Sequence, residues 1–87
     1  MPDITVAVDK TKSILDQVRT YESYVPELVR NLDDVVDLLK KPTKANISTS
    51  LTKLESVRST VAGYASYEPT MVNQFLKTID EIKAALT

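Results

Sequence analysis

Residues 21–42 read YESYVPELVRNLDDVVDLLKKP, and each part of the run carries a structural instruction. Pro26 fixes φ and has no N–H to donate, which suits the first position of a helix, where that donor would be unpaired anyway. From there Leu28, Val29, Leu32, Val35, Val36 and Leu39 recur at spacings of three and four, the period of one helix face. Lys40 and Lys41 complement the negative end of the helix dipole, and Pro42 forbids continuation. The run is one amphipathic helix between a tyrosine corner and a lysine-rich stop.

The pattern returns at an offset of 43 residues, where YASYEP occupies 64–69. Tyr21/Tyr64, Ser23/Ser66, Tyr24/Tyr67, Pro26/Pro69, Val29/Val72, Asp37/Asp80 and Lys40/Lys83 are identical across it. Leu28/Met71, Leu32/Phe75, Val36/Ile79 and Leu39/Ile82 keep the apolar stripe. All four tyrosines of the chain lie in the two copies. Upstream, LDQVR (15–19) matches LESVR (54–58) at an offset of 39, one helical turn less. This predicts an insertion near Thr60–Gly63 that lengthens the third helix, and two copies of an αα-hairpin, 4–42 and 43–87, in one domain spanning 1–87.

The remaining segments have the same period. Asp3 is placed to cap a first helix whose inner face carries Ile4, Ala7, Val8, Ile14, Leu15, Val18 and Tyr21. Ile4, Val6 and Val8 also alternate as in a short strand, but the helical pattern runs much further. Thr43 can cap a third helix with Ile47, Leu51, Leu54, Val57, Val61 and Ala65 inward, ended by Gly63 and the second corner. Pro69 opens a fourth with Met71, Val72, Phe75, Ile79, Ile82 and Leu86 inward. Four stripes joined by short connections predict an all-α protein, an antiparallel up-down-up-down four-helix bundle built from two duplicated αα-hairpins. A pair of hairpins that stays partly open and completes its core as a homodimer is the alternative. In the closed bundle the first and third connections share an end, so Tyr21, Tyr24, Tyr64 and Tyr67 gather at one pole. Both termini and KKPTK (40–44) take the other.

Composition narrows the function classes. One glycine and four prolines are too few turn residues for a sandwich or barrel, and they cannot build a phosphate loop. With no histidine and no cysteine, the commonest general base, nucleophilic thiolate and transition-metal ligands are missing. The chain is therefore not expected to be an enzyme or to hold a cofactor or metal. A net charge of −1 with scattered Lys and Arg offers no basic patch for nucleic acid. No apolar run is long enough for a membrane span, and none reads as a signal peptide. A cytoplasmic protein of bacterial or phage type is the expectation.

Several features are candidates for binding a protein partner. Tyr21, Tyr24, Tyr64 and Tyr67 could form a docking surface, because tyrosine gives a large contact area at low entropic cost. The more ordinary use of clustered tyrosines is as a lid, with rings sealing the core and hydroxyls tied to loops. Leu38 and Leu76 point away from their stripes and are opposite polar repeat equivalents, Glu81 and Asp33, which marks them as a second candidate patch. Asp33, Asp34 and Asp37 cluster within a turn, but Lys40 and Lys41 lie in reach, so a solvated ionic face is expected rather than a cation site. NIS (46–48) matches a glycosylation sequon and is read as accidental without a secretion signal. Tyr64 and Glu68 fit a tyrosine-x-x-x-acid pattern that resembles the secretion signal of small type VII helical-hairpin substrates, whose Trp-x-Gly turn is absent. The size and four-helix pattern resemble bacteriocin-immunity proteins, implying toxin neutralisation, though the chain has none of that group's motifs. The leading expectation is a small, non-catalytic helical interaction or adaptor protein.

Overall fold

The computed structural model describes residues 2–87; Met1 of the expected 1–87 domain lies outside them. Four helices follow in order: α1 (Ile4–Arg19), α2 (Pro26–Leu38), α3 (Lys44–Ala62) and α4 (Pro69–Leu86). The described residues contain no strand. The start of the chain is helical rather than extended because Asp3 accepts a hydrogen bond from the Val6 amide at 3.2 Å, pairing one of the free donors of the first turn. Thr43 does the same for α3 through the Asn46 amide at 3.1 Å. The Asn46 side chain in turn donates to the carbonyls of Leu38 and Lys41, at 3.2 and 2.8 Å, and so closes the end of α2 against the start of α3. Pro26 and Pro69 stand at the first positions of α2 and α4.

Packing is cyclic. α1 lies beside α2, α2 beside α3, α3 beside α4, and α4 closes on α1, while the backbones of the two diagonal pairs stay further apart. One hydrophobic cluster fills the centre, with Ile14, Leu32, Leu54, Ile79 and Ile82 among its fully buried members. Burying each such side chain contributes about 1.5–3 kcal/mol, so the apolar stripes, not the surface, hold the bundle together.

Every interface also carries an ion pair. Arg19–Asp33 (2.9 Å) links α1 to α2, Lys53–Asp34 (3.1 Å) α2 to α3, Arg58–Asp80 (3.0 Å) α3 to α4, and Lys10–Glu81 (3.6 Å) α1 to α4. A second α3–α4 pair joins Lys83 to Glu55. These pairs are partly exposed and contribute little individually, though they favour one helix register over its neighbours. The guanidinium of Arg58, by its hydrogen bond and then its charge, holds the Asp80 carboxyl below its ordinary value of 3.8. A carboxyl depressed on folding stabilises above its unfolded pKa, and that contribution is lost as pH falls through the folded value. Arg58→Met is therefore expected to flatten the stability curve on the acid side of that window, by lowering stability at neutral pH slightly and leaving it unchanged once Asp80 is protonated in both states. Urea unfolding at a series of pH values checks this; an undiminished acid slope would show that the pair does not carry it.

Two polar residues in the core are absent from the apolar stripes. Thr11 is fully buried, and its hydroxyl donates to the Ala7 carbonyl at 2.7 Å. Ser50 is fully buried too, but its Oγ has no hydrogen-bond partner.

α3 is longer than α1, 19 residues against 16. α1 and α3 follow the 43-residue offset throughout: Ala7/Ser50, Thr11/Leu54, Ile14/Val57 and Val18/Val61 are buried pairs, and Ile4/Ile47 and Val8/Leu51 are half-buried pairs. The helices end at equivalent residues, Arg19 and Ala62, and the extra turn of α3 lies at its start, residues 44–46. Four residues rotate a helix by about 400°, nearly a full turn, so a sequence shifted by one turn still presents a similar face. At the offset of 39 residues, Thr11/Ser50, Leu15/Leu54 and Val18/Val57 are likewise buried pairs. Leu15 is the exception to the match at 43, buried where its counterpart Arg58 is half-buried and turned to Asp80.

Candidate functional site: an aromatic pole

The two tyrosine corners are built alike. After α1, the Tyr21 amide donates to Val18 O (2.9 Å), and the amides of Tyr24 and Val25 donate to Tyr21 O (2.9 and 3.0 Å). After α3, the Tyr64 amide donates to Val61 O (2.9 Å), and those of Tyr67 and Glu68 donate to Tyr64 O (3.0 and 3.3 Å). Val25 and Glu68 then precede their prolines with nearly the same backbone, φ −135°, ψ 60° and φ −142°, ψ 71°. A residue before proline is driven out of the helical region, which fixes where each corner turns.

This geometry sets the tyrosines in equivalent pairs. The first tyrosines of the two corners, Tyr21 and Tyr64, are 48% and 46% exposed; the second, Tyr24 and Tyr67, are 82% and 78% exposed. All four line one apolar pocket of about 390 Å³. Its floor is the end of the core, with Val18, Leu28, Val61, Val72 and Phe75, and its rim includes Gln17, Val25, Glu68 and Met71. Met71, placed by the sequence on the inner stripe of α4, is half-exposed at this rim, whereas its counterpart Leu28 is buried in the floor. The rings of Tyr64 and Tyr67 lie 6.5 Å apart at a 50° tilt, within the range of an edge-to-face contact.

The lid expected for clustered tyrosines is not what these residues form. Tyr24 and Tyr67 are the most exposed large apolar side chains of the described residues, and none of the four hydroxyls bonds to another described residue. The core below is already sealed by its own aliphatic residues and Phe75. The rings stand around the pocket instead of filling it.

Leu38 and Leu76 lie elsewhere. Leu76 is half-buried and packs against the core, so it leaves no free patch. Leu38 is also half-buried, in a second depression of about 440 Å³ among Asp34, Lys40, Asn46 and Lys53, and shares no surface with the tyrosines. The three neighbouring aspartates diverge: Asp33 pairs with Arg19, Asp34 with Lys53, and Asp37 with Lys40. No group of three or more His, Cys, Asp or Glu converges to hold a metal among the described residues. Asn46 of the sequon is committed to holding α2 and α3 together. No helix among the described residues is long and apolar enough to cross a membrane.

Sequence reasoning found the four tyrosines but not their neighbours Gln17, Val25, Glu68 and Met71. Val25 and Glu68 could have been found, since a pre-proline residue at each corner has a restricted backbone and joins the tyrosines to the next helix. Met71 could not, because its spacing fits the buried stripe. No protein-family model, no curated protein and no solved structure matches the chain.

Proposed function

We propose that the chain is a non-catalytic helical interaction protein that docks a protein partner at the pole formed by Tyr21, Tyr24, Tyr64 and Tyr67. The observation that carries this reading is the high exposure of Tyr24 and Tyr67 around an apolar pocket. Exposed aromatic rings cost solubility, and a contiguous aromatic patch over a pocket has the composition of interface centres. The lack of His and Cys in the sequence favours binding over catalysis.

The reading includes an antiparallel bundle of two duplicated hairpins, which brings both corners to the same end. Two ion pairs between α3 and α4 support the antiparallel part: a turn back from Arg58 to Glu55 goes with a turn forward from Asp80 to Lys83. The hydrogen bond from the Asp3 amide to Ala85 O likewise sets the start of α1 beside the end of α4. Matching corner hydrogen bonds, backbone angles and tyrosine exposures support duplication. Closure of α4 on α1 within one chain favours a self-sufficient core over one completed by a homodimer. The resemblance to bacteriocin-immunity proteins adds no residue to the site.

A photo-crosslinking residue at position 24 or 67, introduced in cells that express the protein, is expected to trap one discrete partner. The same residue at position 12 or 44 is expected to trap none. The partner, purified, should bind the unmodified chain in calorimetry and bind Tyr24→Ala/Tyr67→Ala at least about ten-fold more weakly, the scale of an interface hot spot. Trapping that is independent of position, or binding unchanged by the double substitution, overturns the reading.

A further inference from the structure

We infer that the aromatic pole selects a cationic apolar segment: a peptide stretch that inserts a bulky apolar side chain into the pocket and lays a neighbouring Lys or Arg over the tyrosine rim. The inference rests on the docking reading above and adds the chemistry of the partner.

The charge distribution around the pocket is one-sided. Residues 20–29 and 59–76, which carry both corners and the first turns of α2 and α4, contain Glu22, Glu27 and Glu68 and no Lys or Arg. Of the basic residues nearest in sequence, Arg19 pairs with Asp33, Arg30 with Glu27 and Arg58 with Asp80, while Lys77 stands two turns along α4 from Pro69 without an ion pair among the described residues. Glu22 and Glu68 have no ion-pair partner among the described residues, and Glu68 lines the pocket itself. An acidic partner would meet the unpaired carboxylates of Glu22 and Glu68, and like charges brought together at an interface are strongly unfavourable.

The aromatic rim selects in the same direction. Each tyrosine ring presents a partly negative face, which attracts an ammonium or guanidinium placed over it. Tyr24 and Tyr67, which are largely exposed, leave such faces open, and the carboxylate of Glu68 in the same pocket lining adds a direct charge partner. Arginine suits the site best, because its planar guanidinium can stack on a ring and bond a carboxylate at once. Beneath the rim the floor offers only apolar groups, so the inserted side chain must itself be apolar.

A second copy of the chain fits poorly. Two poles meeting face to face would bring Glu22 and Glu68 against their own images. The remaining lysine-rich segment, 40–44, carries no exposed large apolar side chain to enter the pocket.

The test is selection of a random dodecapeptide phage library on the biotinylated protein, with counter-selection on Tyr24→Ala/Tyr67→Ala. Enriched peptides are expected to carry an aromatic or long aliphatic residue within four positions of a Lys or Arg. A resynthesised peptide, titrated in calorimetry, should lose at least about five-fold in affinity when its basic residue is changed to Gln. It should show a comparable loss against Glu22→Gln/Glu68→Gln, and a smaller difference between wild type and that variant at high salt. Pole-dependent peptides that are neutral or acidic overturn the charge selection while leaving a docking pole in place. Failure of the counter-selection to remove the enriched peptides overturns the docking pole itself.

Discussion

Leu54→Ala is expected to destabilise the protein by about 2–5 kcal/mol, the cost of removing a fully buried leucine and leaving a cavity. Leu54 has no exposed surface and sits midway along α3, level with the centre of the core. A chain of 87 residues typically has a folding free energy of about 4–13 kcal/mol. One truncation therefore removes a large share of it, and the melting temperature should fall by at least about 10 °C. A loss below about 1 kcal/mol would mean that the core is loosely packed or that α3 slides to refill it, contrary to a cluster closed on all four sides.

The second substitution acts in the opposite direction at a neighbouring turn of the same helix. Ser50→Ala is expected to stabilise the protein by about 1–2 kcal/mol, because it removes a buried hydroxyl that has no partner. The position 43 residues earlier in α1 supports the choice: Ala7 is alanine and fully buried without a hydroxyl. Thr11 shows what Ser50 lacks, since its hydroxyl is paired with the carbonyl one turn back. Urea unfolding gives the sign directly. An unchanged or lowered midpoint would show that the Ser50 hydroxyl pairs with its own helix, as Thr11 does, and that the substitution removes a useful bond.

How much of this was written in the sequence depends on the kind of residue. Pro26, Pro69, Asp3 and Thr43 act locally, so the helix starts they set were legible from their own chemistry. The apolar stripes were legible for the same reason: periodicity reports a face, and the faces of α1 to α4 are buried much as their spacing requires. Thr11 and Ser50 escaped because small polar residues do not register as core by type; only their positions between Ala7 and Ile14, and between Ile47 and Leu54, place them inside. LESVR matches LDQVR at 39 residues and the corners match at 43, and because four residues are close to one helical turn both offsets set buried residues opposite buried ones. Leu76 looked like a free patch because it departs from the main stripe, but the helix face that buries it is wider than that stripe.

At the aromatic pole the sequence identified which residues gather and left open what they do. Counting tyrosines cannot distinguish a ring that seals a core from one that stands beside it. The difference lies in the corner backbone, where the pre-proline turn carries Tyr24 and Tyr67 outward while Phe75 and the valines close the core beneath. The pocket follows from that division: a floor of buried apolar residues and a tyrosine rim, with the carboxylate of Glu68 in its lining.

Thermal unfolding of Tyr24→Ala/Tyr67→Ala is the most direct measurement of whether the pole is a docking surface or part of the core. Substitutions of largely exposed side chains change stability by about half a kcal/mol or less each. The double variant is accordingly expected to melt within about 5 °C of the parent chain. A fall of more than about 15 °C would mean that the rings are structural members of the core, and would contradict the account.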